Sequence, residues 1–436
     1  RDRSVSRGLG DVYKRQAKKY YEALLADPGN AQFHLTDPRG ASDKSGRTFN
    51  NPYQYFFEQM HMDDAIYADE SIYEYPMQQG GGNDGRPYSF GRPSSGGSKA
   101  AYPCKSYGQG RINPAYFYGV FDPNDMRRDV SITMTGSNGK GVEKLIPFVP
   151  NSKAEGGGLT LNKWDENRQA NPWVAAQRKS GINGPYMRMS EVYLGYAEVC
   201  AALGDVVTGK QYLKTVRERS FPQGLANTDA FIASFGNDLV RAIIEERGFE
   251  YAGEGDRRWT LIRSGYLPED IKRIKDMTKA MMDGLATKGY YEFENGNIIS
   301  AYIWTKLVDA KTIYGHRLTA QCPTDKVNDP VLYPGWRGQK DNWEEMGLNY
   351  GSSTPATNLA IKGLFEIVSE EEAASLESQG YAKVNWGIDL VDYRDEYDKY
   401  LFWDYDYVSA PIYLWPFTPN VMAAGGFTNG YGFKQE

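Results

Sequence analysis

Two adjacent stretches of the sequence decide the fold. Residues 186–204 read YMRMSEVYLGYAEVCAALG, and residues 209–221 read GKQYLKTVRERSF. In the first stretch, apolar side chains recur at steps of three and four residues, at Met189, Val192, Tyr196, Val199 and Leu203. This spacing predicts an amphipathic helix whose apolar stripe faces a partner helix. A second helix is predicted over about Lys210–Arg219, so Tyr186–Arg219 forms a helix–turn–helix of tetratricopeptide length.

A charged helical region follows this pair. Further helices are predicted over Asn237–Tyr251 and Asp256–Arg263. Acidic residues cluster there among three arginines: Glu245, Glu246, Glu250, Glu254 and Asp256, with Arg247, Arg257 and Arg258. A glycosidase needs two carboxylates facing each other across a cleft, whereas carboxylates four residues apart share one helix face. We therefore expect this cluster to form structural ion pairs with the arginines.

Outside this helical region the sequence predicts shorter elements. After about residue 266 the pattern turns irregular, aromatic and proline-rich to the end, although Ser369 and the glutamates after it are typical of a helix start. The remaining predictions are the end of a helix over 17–26, a helix over Tyr53–Asp64, and strands over Ser71–Pro76, Ser131–Thr135 and Leu145–Val149.

Composition narrows the class of protein. The 436 residues are 40% hydrophobic and 24% charged, which is typical of a globular chain. A net charge of -6 argues against nucleic-acid binding, and no apolar run approaches the ~18 residues of a membrane-spanning helix. Tyrosine is abundant, with 33 residues, and its flat apolar face and polar tip suit half-exposed contact surfaces.

Two candidate chemical motifs are weak. The segment Thr133–Gly141, TMTGSNGKG, resembles the phosphate loop of Mur-type ligases, but Gly141 and Val142 occupy the place of the Mg²⁺-binding hydroxyl. A hairpin turn at Ser-Asn-Gly-Lys is the better interpretation. The three cysteines form no C-x-x-C pair; unpaired thiols are expected, with a disulfide between the first and last left open: Cys104, Cys200 and Cys322.

The helical signatures resemble the SusD/RagB family. Residues 186–221 are similar to its "R-x-x-E-x-x-L-x-x-A-E…G" and "L-x-x-V-R-x-R" helices, and IIEERGFEYAGEGDRRWTLIRSG at 243–265 to its "E-R-x-x-E-x-x-x-E-G-x-R" segment. Thr260 stands where the family usually has Asp, and Leu414–Pro419 with Gly430–Gly432 resembles the family's C-terminal ending. The matching helical positions are Arg188, Glu191, Leu194, Ala197, Glu198, Gly204, Leu213, Val216, Arg217, Arg219, Glu246, Arg247, Glu250, Glu254, Gly255, Arg257, Leu261 and Arg263.

This resemblance implies a mainly α, SusD-like fold, with tetratricopeptide-like helical hairpins and a loop-rich region with short β-strands. We expect a single domain over 17–436, made of a helical core at 184–265, an insertion at about 266–400 and a C-terminal segment at 401–436. The motif residues are scaffold in this interpretation, because buried Arg–Glu pairs orient packed helices and breaking one partner is costly.

The implied function is capture of a nutrient glycan. The resemblance indicates a lipoprotein on the extracellular face of the outer membrane that passes its ligand to a TonB-dependent, SusC-like transporter, without a cofactor and without enzymatic activity. Two alternatives stay open. The chain could be a transporter-docking protein with little glycan affinity of its own, or a glycoside hydrolase that uses the acidic cluster.

Candidate ligand contacts lie in glycine-rich segments away from the helical stripes. Sugars present apolar C–H faces beside hydroxyls, so flat aromatic rings with nearby amides and charges bind them. The predicted contacts are Tyr88, Phe90, Tyr102, Tyr107 and Trp164, with Asn167 and Arg168 as polar partners.

The start of the chain is atypical. Residues 1–16, RDRSVSRGLGDVYKRQ, resemble the conceptual translation of a sequencing adaptor, with a genuine basic tail as the alternative. We expect these residues to carry no function, and the signal peptide and lipidated Cys of the family to be absent through truncation.

Overall fold

The structure of the chain is a computed structural model. It describes residues 3–27, 35, 52–53, 56–57, 70–78, 90–93, 106, 108–137, 143–148, 157–164, 180–309, 357–395, 413 and 417–426. The helices are α1 Arg3–Ala26, α2 Arg127–Ser131, α3 Met189–Ala202, α4 Val206–Arg219, α5 Thr228–Ala233, α6 Leu239–Glu250, α7 Arg257–Ser264, α8 Leu267–Lys288, α9 Glu370–Ser378, α10 Gly387–Asp392 and α11 Pro419–Gly425, with a π-helical turn at Tyr116–Val120. The strands are β1 Ser71–Tyr75, β2 Ile132–Thr133, β3 Thr135–Ser137, β4 Glu143–Leu145, β5 Thr160–Leu161, β6 Gly184–Arg188, β7 Tyr290–Glu292, β8 Ile298–Ser300, β9 Tyr302–Asp309, β10 Thr357–Lys362 and β11 Ala382–Asn385.

The predicted helical hairpin is present as α3 and α4. Leu194 and Ala197 of α3 pack with Leu213 and Val216 of α4 in a fully buried cluster. The second helix begins at Val206, four residues before its predicted start, because the side chain of Asp205 accepts a hydrogen bond from the Thr208 amide and caps the helix. Helices α6 and α7 confirm the two further predicted segments.

The prediction of irregular structure after residue 266 was wrong. Helix α8 is a 22-residue helix, with Pro268 in its first turn and Gly289 in the left-handed conformation at its C-terminal end. Met281, Met282 and Leu285 on its buried face join the largest apolar core. That core also contains Ile303, Ile361 and Trp386, so the described parts of the segment at about 266–400 help to build the centre of the molecule.

The β-structure of the described residues consists of one three-stranded sheet and four two-stranded sheets, all antiparallel. Strand β9 lies between β10 and β11, and β1 pairs with β6. Strands β3 and β4 pair antiparallel with Ser137 opposite Glu143, as the predicted hairpin requires; its connecting residues 138–142 lie outside the described part of the chain. A strand therefore follows this segment, where a phosphate loop would have a helix, and the nucleotide-binding interpretation is wrong.

Two further predicted elements are confirmed and others lie partly outside the described residues. Strand β1 matches the predicted strand at Ser71–Pro76, and Ser369 caps α9 by accepting a hydrogen bond from the Glu372 amide. Of the predicted helix at Tyr53–Asp64, the structure describes helical residues at 53 and 56–57. Cys200 is a buried free thiol, whereas Cys104 and Cys322 lie outside the described part of the chain.

Candidate functional site

Buried charges connect the helical hairpin to β1, β6, α2 and α6. We call this cluster the Glu250 network. Its members are Glu70, Asp125, Arg127, Lys163, Arg188, Arg217, Arg219, Glu246, Glu250 and Glu254. Such a group is stable in a protein interior only when its charges are paired and hydrogen-bonded.

Arg188, the last residue of β6, makes the largest set of contacts. Its Nη1 donates to Glu70 and to Glu250, each at 2.8 Å. Its Nε and Nη2 donate to the two carboxylate oxygens of Glu254, at 3.0 and 2.9 Å. A single side chain therefore ties β1, β6 and the turn after α6 together.

Glu250 lies at the end of α6 and is completely buried. Besides Arg188, it accepts hydrogen bonds from Arg219 at 2.6 Å and Arg127 at 3.2 Å. Burial opposes ionisation of its carboxyl group, but the guanidinium groups of Arg219, Arg188 and Arg127 outweigh burial and hold its pKa well below the usual range. Glu250 is therefore a charged scaffold residue at neutral pH.

A second set of pairs confirms the structural interpretation of the acidic cluster. Arg247 donates to Glu191 at 2.6 Å and to Asp256 at 2.7 Å, and Arg257 pairs with Glu245 at 2.7 Å. Thr260, which replaces the family's usual Asp, donates from its hydroxyl to Asp256 at 2.8 Å. All five carboxylates of the cluster are thus engaged with arginines in this structure.

Lys163 is the one lysine in the Glu250 network. Its ammonium group lies 2.6 Å from a Glu254 carboxylate oxygen and donates to the Glu250 carbonyl at 3.2 Å. The rings of Tyr53 and Phe57 lie 5.0 and 4.8 Å from the same nitrogen. Burial lowers the pKa of Lys163 to about 8, and the negative charge of Glu254 opposes that shift.

An open groove shares Arg188 and Glu254 with this network. We call it the aromatic groove; its volume is about 400 Å³, within the usual size of small-ligand sites. Strand β6, the first turns of α3 and α7, and the turn after α6 supply its lining, which includes Tyr186, Arg188, Glu191, Glu254, Asp256 and Trp259.

The turn between α6 and α7 depends on glycine. Gly253 and Gly255 have φ values of +82° and +96°, in the left-handed region. A Cβ at Gly253 would also lie 2.5 Å from Leu161. This turn carries Glu254 back to Arg188 and places Asp256 and Trp259 at the edge of the groove.

Exposed aromatic rings surround the groove. Tyr186 is 73% exposed and Trp259 is 54% exposed, although both line the cavity. Tyr73 and Tyr75, on the paired strand β1, are exposed as well, and the Tyr73 ring packs edge-to-face on Tyr186 with centroids 5.6 Å apart. Rings that stay exposed in the folded protein form a surface suited to stacking against a ligand.

The charges that reach solvent in the groove are negative. The side chains of Glu191 and Asp256 are 29% and 22% exposed, whereas that of Arg247, which pairs with both, is 3% exposed. The deeper Tyr251 ring lies 4.9 Å from the Arg188 guanidinium, and burial raises the pKa of its hydroxyl well above the usual value. Solvent in the groove therefore meets carboxylates and aromatic rings.

The sequence-predicted contacts are only partly described. Phe90 is 48% exposed, as a ligand contact requires. Trp164 is fully buried and packs with Leu161 and Ile182, so its predicted ligand contact is corrected to a core role, because a stacking platform needs an accessible face. The other predicted contacts lie outside the described residues: Tyr88, Tyr102, Tyr107, Asn167 and Arg168.

Sequence reasoning missed the aromatic groove. The helical motif that the sequence predicts begins at Tyr186, and Trp259 falls between the matched positions Arg257 and Leu261. The available signal was the alternation of Tyr73 and Tyr75 in β1, which puts both rings on one face of the strand. Nothing local in the sequence places that strand beside Tyr186.

Two further features are absent from the described part of the chain. The described residues contain no group of three or more His, Cys, Asp or Glu side chains arranged to hold a metal ion. None of their helices combines the length and the apolar character that crossing a membrane requires.

The described residues thus form a helical scaffold protein, in which a hairpin fixed by buried Arg–Glu pairs lies beside a groove of exposed aromatic rings. The sequence model of the SusD family matches residues 32–417. The chain therefore belongs to the SusD family and has its mainly α fold, as the resemblance predicted.

Individual relatives are more distant. SusD-like protein P25 of Formosa agariphila is 28% identical over 160 residues, which are 36% of this chain and 26% of that protein. A SusD homolog from Bacteroides thetaiotaomicron is 19% identical, with a TM-score of 0.43 over 61% of this chain and 51% of that one. Surface glycan-binding protein A of the same species, in complex with laminarihexaose, is 18% identical, with a TM-score of 0.41 over 60% and 52%. The chain spans about a quarter of the curated relative and about half of these solved structures.

Proposed function

We propose that this protein captures glycans at the cell surface and that the aromatic groove is its ligand site. The observation that carries the proposal is the pair of exposed rings, Tyr186 and Trp259, lining one cavity with the carboxylates of Glu191 and Asp256. Ring faces suit the C–H surfaces of sugars, and carboxylate oxygens accept hydrogen bonds from their hydroxyls.

Family membership supports the same function. Membership of the SusD family is consistent with glycan binding. One solved structure to which this chain is similar is named as a surface glycan-binding protein in complex with laminarihexaose. The ion pairs of the acidic cluster support a binding role rather than hydrolysis, because a glycosidase needs a carboxylate pair that faces the substrate.

Transfer of the glycan to a TonB-dependent, SusC-like transporter is part of the proposal, as is a position on the extracellular face of the outer membrane through a lipid anchor. The resemblance in the helical motifs supports this partnership. Co-purification of the tagged chain with a transporter encoded beside it tests the partnership. Recovery of the chain without the transporter would contradict it.

The glycine-rich loops are proposed to add contacts to the same ligand. The predicted residues Tyr88, Tyr102, Tyr107, Asn167 and Arg168 stay candidates, and the exposure of Phe90 supports a loop contribution. Alanine substitution of Phe90 and Tyr107 should weaken glycan binding. If both variants bind the glycan as tightly as the intact chain does, the loops are not part of the site.

A glycan panel tests the proposed function directly. Laminarihexaose and other oligosaccharides are screened against the intact chain and against Trp259→Ala and Tyr186→Ala, with Tyr20→Ala as a matched control on the exposed face of α1. We expect glycan binding that both groove variants weaken and the control leaves unchanged. Transporter binding without any glycan binding would favour the docking-protein alternative, and release of reducing ends would favour a glycoside hydrolase.

A further inference from the structure

We propose that the aromatic groove selects uncharged sugar units and disfavours glycans that carry uronate or sulfate groups. This inference rests on the proposed glycan-binding function and adds the chemical class of the ligand. Its basis is the arrangement of charge at the cavity: the carboxylates of Glu191 and Asp256 reach solvent, whereas the arginines that contact the groove carboxylates are buried and bound to protein partners.

The two arginines that contact the carboxylates of the groove, Arg188 and Arg247, are engaged. Nη1 of Arg188 is shared by Glu70 and Glu250, and its Nε and Nη2 are bound to Glu254. Arg247 donates from Nη2 to both Glu191 and Asp256, and from Nε to Thr260. An incoming uronate or sulfate would have to break one of these pairs to gain a guanidinium partner, and would leave a carboxylate uncompensated.

The exposed edge of the groove opposes an anion further. The carboxylate groups of Glu191 and Asp256 are partly exposed at its edge, while Arg247 between them is buried. A ligand anion placed among these groups meets like charges at short range, where repulsion is least screened by salt. The whole chain carries a net charge of -6 and adds no attraction to compensate.

Uncharged sugars match the same groups. Oε2 of Glu191 is bound to Arg247, and among the described residues its Oε1 has no protein partner. A sugar hydroxyl can donate to this oxygen in a charge-assisted hydrogen bond. The rings of Tyr186 and Trp259 then supply apolar faces for the C–H groups of the same unit. Acceptors and ring faces together favour hydroxyl-rich, uncharged ligands.

The test compares three classes of oligosaccharide on four proteins. Neutral, uronate-containing and sulfated oligosaccharides of equal length are arrayed and probed at low and high salt. The proteins are the intact chain, Trp259→Ala, Glu191→Gln and Glu198→Gln. The last is a matched control on α3, because Glu198 pairs with Arg263 and is not among the groove-lining residues.

We expect neutral oligosaccharides to bind the intact chain most tightly, with an affinity that is insensitive to salt and that Trp259→Ala weakens at least about tenfold. Glu191→Gln keeps the shape of the side chain and removes one charge, so it should raise the affinity for uronate oligosaccharides by about threefold or more at low salt. Glu198→Gln should leave all affinities unchanged.

Failure of the inference and failure of the proposed function give different results. If the strongest ligand that depends on Trp259 is anionic, the charge argument is overturned and glycan binding stands. If glycans bind equally well without Trp259, the groove is not their site and the inference is overturned. If no member of the array binds, the proposed function itself fails.

Discussion

The Glu250 network and the aromatic groove are adjoining regions that share Arg188 and Glu254 but differ in how far their side chains are exposed to solvent. In the network, the charged side chains are at most 6% exposed and are held by ion pairs. In the groove, large rings remain exposed, and Tyr186 shows more surface than any other large hydrophobic side chain of the groove. Ion pairs hold the network in place, whereas the groove presents ring faces that solvent or a ligand can reach.

The comparison shows how the network positions the surface that we propose to bind the ligand. Arg188 follows Tyr186 by two residues on β6, so the bonds that fix Arg188 also fix the strand carrying the ring. Glu254 precedes Trp259 by five residues and is bound to the same arginine. The network therefore sets the distance between two segments that are 73 positions apart in sequence.

Removal of Arg188 should have the largest effect, because it breaks both regions. Arg188→Ala leaves Glu70, Glu250 and Glu254 without a shared cation in a buried site, and loss of a buried partner costs about 3–5 kcal/mol. Chemical denaturation measures the free energy of unfolding. Arg263→Ala is the control, because its pair with Glu198 is more exposed and should contribute about 1 kcal/mol or less. Similar losses in both variants would contradict a special role for the network.

Substitution of Trp164 tests whether this predicted ligand contact belongs to the core instead. The ring is fully buried with Leu161 and Ile182, so Trp164→Ala should lower the free energy of unfolding by about 3–5 kcal/mol. At a temperature where the variant stays folded, we expect its glycan affinity to equal that of the intact chain. A variant with unchanged stability and lost affinity would restore the ligand-contact interpretation.

Lys163 makes the stability of the network depend on pH. Its pKa is about 8 in the folded protein and 10.5 in its ordinary state, so between these values the unfolded chain binds more protons. Stability should therefore rise with pH in this window, by up to about 1.4 kcal/mol per pH unit. Denaturation of the intact chain and of Lys163→Met at pH 7.5 to 9.5 isolates this slope, which the variant should lack. Parallel curves for the two proteins would show that Lys163 is not the cause.

Substitution of Tyr73 should have the smallest effect of these variants. The Tyr73 ring packs edge-to-face on Tyr186, and such a contact contributes about 0.5–1.5 kcal/mol. Tyr73→Ala should weaken glycan binding by roughly tenfold or less, while the free energy of unfolding changes little because the ring is exposed. Tyr20→Ala on α1 is the matched control for titration calorimetry. A stability loss as large as that of Arg188→Ala would mean that Tyr73 belongs to the scaffold.

The helical scaffold could be predicted because its signals are local. The apolar stripe of α3 and the carboxylate spacing of α6 each lie within a few turns of helix. Helix α8 carried a similar signal, with Leu267, Ile271, Ile274 and Leu285 on one face. The sequence prediction missed this helix because charged residues lie between these positions and irregular, aromatic segments follow them.

The aromatic groove could not be predicted for a physical reason. Its rings come from β6 and α7, and their proximity depends on the β1–β6 pairing and on the long-range contacts of Arg188. Local spacing carries no information about such contacts. The same limit explains Trp164, since a tryptophan in a loop-rich segment has the same local sequence whether its ring faces the solvent or the core.

Titration calorimetry of Trp259→Ala with a glycan that the intact chain binds tests the central claim most directly. The claim is that buried ion pairs hold a groove in which exposed rings bind the ligand. We predict an affinity at least about tenfold weaker than that of the intact chain, with an unchanged denaturation midpoint, because Trp259 is exposed and outside the network. Equal affinity in the two proteins would contradict the claim.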